Sequence, residues 1–159
     1  MDELLKLLQR NALESHESLA KQLDQSTAEI ARRIAAYEQA GVIRGYQAVL
    51  NEDQLDLDTL TAVIEVKITP QREGGFNRIA ERISKFPEVR SAYLMSGAYD
   101  LLLFVEGHNL REIGSFVSEK LSPLEGVLST STHFMLKTYK RLGVLMQVEN
   151  SDERLSVTP

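Results

Sequence analysis

The chain has 159 residues, a length that fits one domain or two small ones. It contains no cysteine, which excludes disulfide staples, thiolate metal sites and a cysteine nucleophile and suits a reducing cytoplasm. No apolar run approaches the ~20 residues that span a bilayer, the N-terminal MDELLKLLQR has no signal-peptide pattern, and the net charge of −5 argues against a broadly basic surface without excluding a local patch.

Residues 1–44 carry apolar residues at helical spacing and no proline. A first helix is expected from Asp2 to Ala12, with Leu4, Leu5 and Leu8 as its stripe and Asp2 and Glu3 favouring its N-terminal dipole. A second runs from His16 to Leu23, capped by Ser15, with Leu19, Ala20 and Leu23 facing inward. The third starts at Ser26-Thr27-Ala28-Glu29, which matches a capping box, and continues through Ile30, Ile34 and Tyr37 to Gly41. Only Asp24 and Gln25, plus the cap, separate helices two and three. Helices joined so tightly must cross steeply, in helix-turn-helix geometry. A plain three-helix subdomain fits the same spacing.

Residues 45–58 read as a connecting strand and acidic linker, ending in NEDQLDLD. From 59 to 148 the pattern changes to strand, helix, strand, strand, helix, strand. The first strand is Thr59–Thr69, where Ala62, Ile64, Val66 and Ile68 alternate with more polar partners, and Pro70 ends it. Gly74-Gly75 reads as a turn into a helix reaching Phe86, with Phe76, Ile79, Ala80 and Ile83 on one face. Val89–Ser96 forms the second strand, and Gly97-Ala98-Tyr99-Asp100 turns into a third, Leu101–Glu106, whose continuous apolar run predicts burial on both faces. Asn109 and Glu112 cap the second helix, and Val127–Leu136 is the last strand. The whole is therefore α+β: an N-terminal helix-turn-helix domain followed by a ferredoxin-like βαββαβ domain with two helices on one sheet face. The other face needs a cover, for which a second subunit is the simplest candidate. Residues 149–159 read as a loose polar tail.

On a helical wheel centred on Ile30, Arg32 falls at about 200° and Ala28 at about 160°, pointing away from the core. Arg32 is the candidate phosphate or base contact. Arg33, at about 300°, lies at the core edge and four residues after Glu29, so it reads as a partner of Glu29 and partly structural. Ser26 and Thr27 offer hydroxyls and free backbone N–H groups to phosphate, and Ala28 allows close approach. Arg32 also fits as a solvated helix residue. Residues 1–50 hold six basic and seven acidic side chains, so a single module should bind DNA weakly and gain affinity by assembly.

The three histidines, His16, His108 and His133, are scattered, and no pair has metal-ligand spacing. No catalytic residue, metal site or cofactor is expected. The best small-molecule candidate is the Gly97-Ala98-Tyr99-Asp100 turn, where Gly97 frees the backbone, Tyr99 offers a ring and hydroxyl, and Asp100 suits an ammonium group or local N–H groups. Thr130 and Thr132, on the polar alternation of the last strand, could add hydrogen bonds. The same residues also fit an ordinary hairpin turn and a solvated strand face.

Taken in order, several short segments resemble the leucine-responsive and asparagine-operon regulators (Lrp/AsnC) of bacteria and archaea. They are Leu19-Ala20, Ser26, Arg33-Ile34, Glu38, Gly41-Val42-Ile43, Gly45-Tyr46 and Val49-Leu50-Asn51, then Val89, Gly97, Tyr99-Asp100, Leu121, Gly126-Val127 and the Thr-rich strand. The resemblance covers residues 1–142. It implies a DNA-reading helix-turn-helix joined to a RAM-type sensing domain and a homodimer through the sheets that often assembles to an octamer. It also implies an amino-acid effector held between subunits near the Gly-x-Tyr-Asp turn. Departures from the family pattern are Asp24-Gln25 where Gly-Leu is usual, Tyr37 in place of Leu, and Asp56 in place of Gly. Siroheme decarboxylases share the architecture and form the enzyme alternative. The linker Gly45–Leu50 matches the regulators instead, and a sensing module without DNA binding is the third reading.

Overall fold

The computed structural model describes residues 1–69 and 77–147. The Gly74-Gly75 turn, the expected strand end at Pro70, Phe76 and the tail from residue 149 lie outside the described residues. The chain divides into two compact units, Met1–Val49 and Leu50–Pro159. Among the described residues no helix is long and apolar enough to cross a membrane.

The first unit has three helices: α1 (Glu3–Arg10), α2 (His16–Leu23) and α3 (Thr27–Gln39). Each begins at a side-chain cap that satisfies an otherwise orphaned backbone donor. Asp2 accepts from Leu4 N at 2.8 Å, Ser15 from Ser18 N at 3.1 Å and Ser26 from Glu29 N at 3.1 Å. The expected extension of α1 to Ala12 does not occur, because Asn11 turns extended and its side chain accepts from Leu13 N. Asp24 adopts the left-handed conformation (φ 51°) that ends α2, which Asp tolerates better than most residues. Leu4, Leu8, Leu19, Ala20 and Ile30 are buried together, with Ile34, Tyr37 and Ile43 half-buried against them.

Arg33 ties this unit together over distance. Its guanidinium donates to both Asp2 oxygens at 2.8 and 2.7 Å and to Gln25 Oε1 at 2.7 Å. The expected Arg33–Glu29 pair is therefore replaced: Arg33 is drawn to the cap of α1, 31 residues away, and Glu29 pairs with Arg32. Gln25, which lacks the apolar side chain of a hydrophobic staple, serves as a hydrogen-bond acceptor instead. The Tyr37 hydroxyl, the Leu4 N–H and Arg33 hold the Asp2 carboxyl below its ordinary value of 3.8, against the opposing effect of burial.

Residues 45–58 hold no strand. A lone strand has no ladder partner for its backbone, and the segment's regular structure is a 3₁₀ turn at Glu52–Gln54.

The second unit is a four-stranded antiparallel sheet of β1 (Leu60–Ile68), β2 (Val89–Leu94), β3 (Leu101–Gly107) and β4 (Val127–Phe134). Its order is β2-β3-β1-β4, the ferredoxin-like arrangement. Helix α4 (Asn77–Ile83), and α5 (Leu110–Ser115) with its π-helical continuation Phe116–Leu121, cover one face. Ala62, Ile64, Val66 and Ile68 of β1 bury there with Leu101, Leu103 and Val105 of β3, against Ile79, Ile83, Ile113 and Leu121. Phe86 and Phe116 meet edge to face, ring centres 5.6 Å apart.

The predicted two-faced burial of β3 is corrected. Leu101, Leu103 and Val105 are buried, whereas Leu102, Phe104 and Glu106 are half-buried on the opposite face, which carries no helix among the described residues. The apolar run there reflects a second, incompletely covered surface. Beyond β4, a short hairpin joins β5 (Lys140–Arg141) to β6 (Val144–Leu145) through Leu142 (φ 47°) and Gly143 (φ 86°), which the alternation along the sequence did not reveal.

Two stability outcomes follow from these contacts. Ile64→Ala, at a fully buried site, should cost about 3 kcal/mol, read as a lower denaturant midpoint at unchanged slope. Asp2→Ala should cost about 1 kcal/mol from the lost cap alone. Because the folded-state pKa of Asp2 is depressed, its contribution is present above the unfolded value and is lost as pH falls through the folded one. The melting-temperature gap between wild type and Asp2→Ala should therefore close as pH falls below the ordinary carboxylate value; a gap that persists in strong acid would rule out the carboxylate as its source.

Candidate nucleic-acid interface and effector site

The left-handed residue Asp24 turns the chain sharply, and Gln25 N bonds back to Ala20 O at 3.0 Å. This turn sets α2 and α3 in a helix-turn-helix. At the start of α3, Ser26, Thr27 and Ala28 are all exposed. The Ser26 hydroxyl is already accepting from Glu29 N. The reciprocal half of the expected capping box does not form, because the Glu29 carboxylate turns toward the next helical turn and accepts from Arg32 Nε at 3.0 Å and Nη2 at 2.6 Å.

The two arginines of α3 thus occupy different environments. The Arg32 side chain is 73% exposed and held by an exposed carboxylate, while that of Arg33 is 21% exposed and held by Asp2. Arg32 can reach a ligand with little rearrangement; Arg33 would have to abandon the cap of α1. Hydrogen bonding and charge from Arg32 lower the Glu29 carboxyl, and Glu29 raises the Arg32 guanidinium in turn. Farther along, Tyr46 OH donates to Glu38 Oε1 at 3.0 Å and pins the chain that follows α3. Burial, then Glu38, raises the Tyr46 hydroxyl.

In the second unit, the Gly97–Asp100 turn is built into the end of β1. Gly97 has φ 140°, a region that favours glycine, although a Cβ there would meet open space. Asp100 N donates to Val66 O at 3.0 Å, and Asp100 Oδ2 accepts from Ile68 N at 2.8 Å, beside the irregularity between Lys67 and Ile68. One carboxylate oxygen therefore has a structural task. Tyr99 and Asp100 are half-buried, and Gly97 and Ala98 are exposed.

Thr130 and Thr132 do not join that turn within one chain. The register sets Thr130 opposite Val66 and Thr132 opposite Ile64, on the helix-covered face of the edge strand β4. The turn leads into β3, on the other side of β1. The central strand thus stands between the two groups.

A cavity of about 220 Å³ opens at the opposite end of the sheet, where residues 50–53 meet Thr61, Met135, Arg141 and Met146. It is shaped by Asn51 Nδ2 donating to Met146 O at 2.6 Å and by the Arg141–Glu52 ion pair. Sequence reasoning missed it, since its walls lie about 90 residues apart and no local motif marks it. His133 lies on the helix-free face, with Nε2 3.6 Å from Glu65 Oε1 and 3.3 Å from Ser131. Among the described residues no group of three His, Cys, Asp or Glu side chains could hold a metal ion.

Comparison with known proteins places these features in context. The sequence model of the Lrp/AsnC ligand binding domain matches residues 61–145, and that of a winged helix-turn-helix DNA-binding domain matches residues 3–44. An uncharacterised HTH-type transcriptional regulator of Bacillus subtilis, YugG, is 40% identical over 158 residues, spanning 99% of this chain and 95% of that one. The leucine-responsive regulatory protein of Rhizobium meliloti is 34% identical over 86% of this chain and 87% of its own length. Among solved structures, the Neisseria meningitidis transcriptional regulator NMB0573 in complex with L-Met superimposes with a TM-score of 0.64 at 29% identity, covering 89% of this chain and 93% of that one. With both units matched in order, and a relative of this similarity along almost the whole length, the chain belongs to the Lrp/AsnC family of transcriptional regulators.

Proposed function

We propose that this regulator binds specific double-stranded DNA sequences through α3 and that an amino acid, bound at a subunit interface near the Gly97–Asp100 turn, modulates that binding. The observation that carries the DNA half is the helix-turn-helix with an exposed Arg32 on its second helix. In this reading Ser26, Thr27 and Ala28 approach the backbone, Arg32 contacts the duplex and Arg33 orients the helix. The sensing half is supported by the methionine-bound relative and by the positive-φ Gly97 beside a carboxylate whose second oxygen has no partner among the described residues.

The half-covered face of the sheet supports a homodimer. Phe104 and Tyr93 stack edge to face there at 6.1 Å, flanked by Leu102 and Val63. A partner on this face would bring Thr130 and Thr132 of one chain into play with the turn of another only on further assembly, for which an octamer is the expected form. Assembly would also offset the weak charge of each reader. The reading is regulatory rather than enzymatic because the relatives are named as regulators, and it implies action in the cytoplasm.

Selection of genomic fragments on the purified protein, with and without the twenty amino acids, tests the whole reading. A shared sequence should be enriched, and at least one amino acid should shift its recovery; random recovery under every condition would reject DNA recognition. Arg32→Ala should weaken binding to the selected site by about tenfold, measured by fluorescence anisotropy, and unchanged affinity would reject this orientation of α3. Asp100→Asn keeps an oxygen for Ile68 N but removes the charge. It should abolish the thermal shift caused by the active amino acid while leaving the unliganded melting temperature in place; an intact ligand shift would remove Asp100 from the site.

A further inference from the structure

Both arginines of α3 are paired with carboxylates, but only one pairing has a folding role. Arg33–Asp2 joins two helices. Arg32–Glu29 joins neighbouring turns of one helix on its exposed side, a position where an ion pair adds little to stability. The cap of α3 does not need the Glu29 carboxylate, since Ser26 takes the Glu29 backbone N–H. A side-on fork of Nε and Nη2 nevertheless holds Glu29, cancelling the one accessible cation of the helix.

We propose that Glu29 is a specificity-determining residue: with Arg32 it reads one G·C base pair as a unit, and by neutralising Arg32 it suppresses binding to DNA of any other sequence. The inference rests on the DNA-reading role of α3 stated above. A phosphate approaching Arg32 either displaces Glu29 or docks on the free Nη1 edge beside it, and in both cases the carboxylate faces another anion, which weakens backbone contact. The major-groove edge of a G·C pair makes no such demand. Guanine O6 and N7 accept from an arginine, and cytosine N4 donates to a carboxylate. Arg32 Nη1 has no partner among the described residues, and each Glu29 oxygen keeps a lone pair beyond its bond to Arg32. The fork can therefore stay closed while both groups meet their complements. Specificity gained in this way comes from penalising the wrong partner as much as from favouring the right one.

The test uses the full chain and two duplexes, the selected site and a scrambled version, titrated across a salt series. Wild type is compared with Glu29→Gln, which keeps the shape and frees Arg32, and with Glu3→Gln, which removes the same charge from the first unit at the exposed Lys6 pair on α1. Glu29→Gln should bind the scrambled duplex about tenfold more tightly, with a log–log salt slope steeper by about 0.9, the value for one added phosphate contact. The advantage of the selected site should shrink, and exchanging its G·C pair for A·T should matter less than in wild type. Glu3→Gln should match wild type. Equal affinities and slopes for wild type and Glu29→Gln, or a Glu3→Gln effect as large as that of Glu29→Gln, would overturn the role of Glu29 and leave DNA reading intact. Failure of wild type and Glu29→Gln to bind any duplex would overturn both.

Discussion

β1 is hydrogen-bonded along both of its edges, to β3 from Leu60 to Val66 and to β4 from Ala62 to Ile68. A buried strand cannot leave those groups unpaired, so the sheet and the core of the second unit both depend on it. The ladder to β3 stops at Val66. Beyond that point the chain finishes β1 with a side chain, as Asp100 takes the N–H of Ile68 and returns its own N–H to Val66. The turn proposed for effector sensing is thus also the clasp on the strand that organises the unit. A ligand settling against Asp100 would act directly on the end of β1.

The first unit obeys a different constraint, the shortage of positive charge. Its six basic side chains are outnumbered by acidic ones, and the two arginines of α3 are both engaged. A reader built this way gains little from generic phosphate attraction, which dominates most protein–DNA affinity. In the proposed reading, recognition then rests on base contacts and on repeated modules. A weak, selective reader would suit the proposed control of DNA occupancy by assembly and a small effector, because each would contribute a modest free energy that the other can outweigh.

The two faces of the sheet express the same economy. One is closed by α4, α5 and the π-helical turn, with side chains of β1 and β3 fully buried. The other leaves Leu102 and Phe104 half-covered beside Tyr93 and the Glu65–His133 pair. Units of this size bury a smaller share of their surface on folding than larger domains do, and a second copy on this face would add to that burial.

Local interactions were legible in the sequence. The caps Ser15, Ser26 and Asn109, and the alternation along β1, depend on residues within four positions of each other, so composition and spacing determine them. The order of strands and helices likewise determined the α+β class, since few topologies accommodate βαββαβ. The two-faced look of β3 misled because an apolar run signals burial without saying what buries it. Spacing named Glu29 as the partner of Arg33 and none for Arg32, whereas Arg33 pairs with Asp2 and Glu29 with Arg32; the cavity and the β5–β6 hairpin were not legible at all. The Arg33 partner and the cavity depend on atoms brought together from far along the chain, Asp2 to Arg33, Asn51 to Met146 and Glu52 to Arg141, whereas the hairpin is local but too short to show an alternation. The sequence by itself determined which elements form and in what order. Only the tertiary structure decided which charges are spent on folding and which remain for recognition, because an ion pair is set by distance in space and a helix cap by distance along the chain.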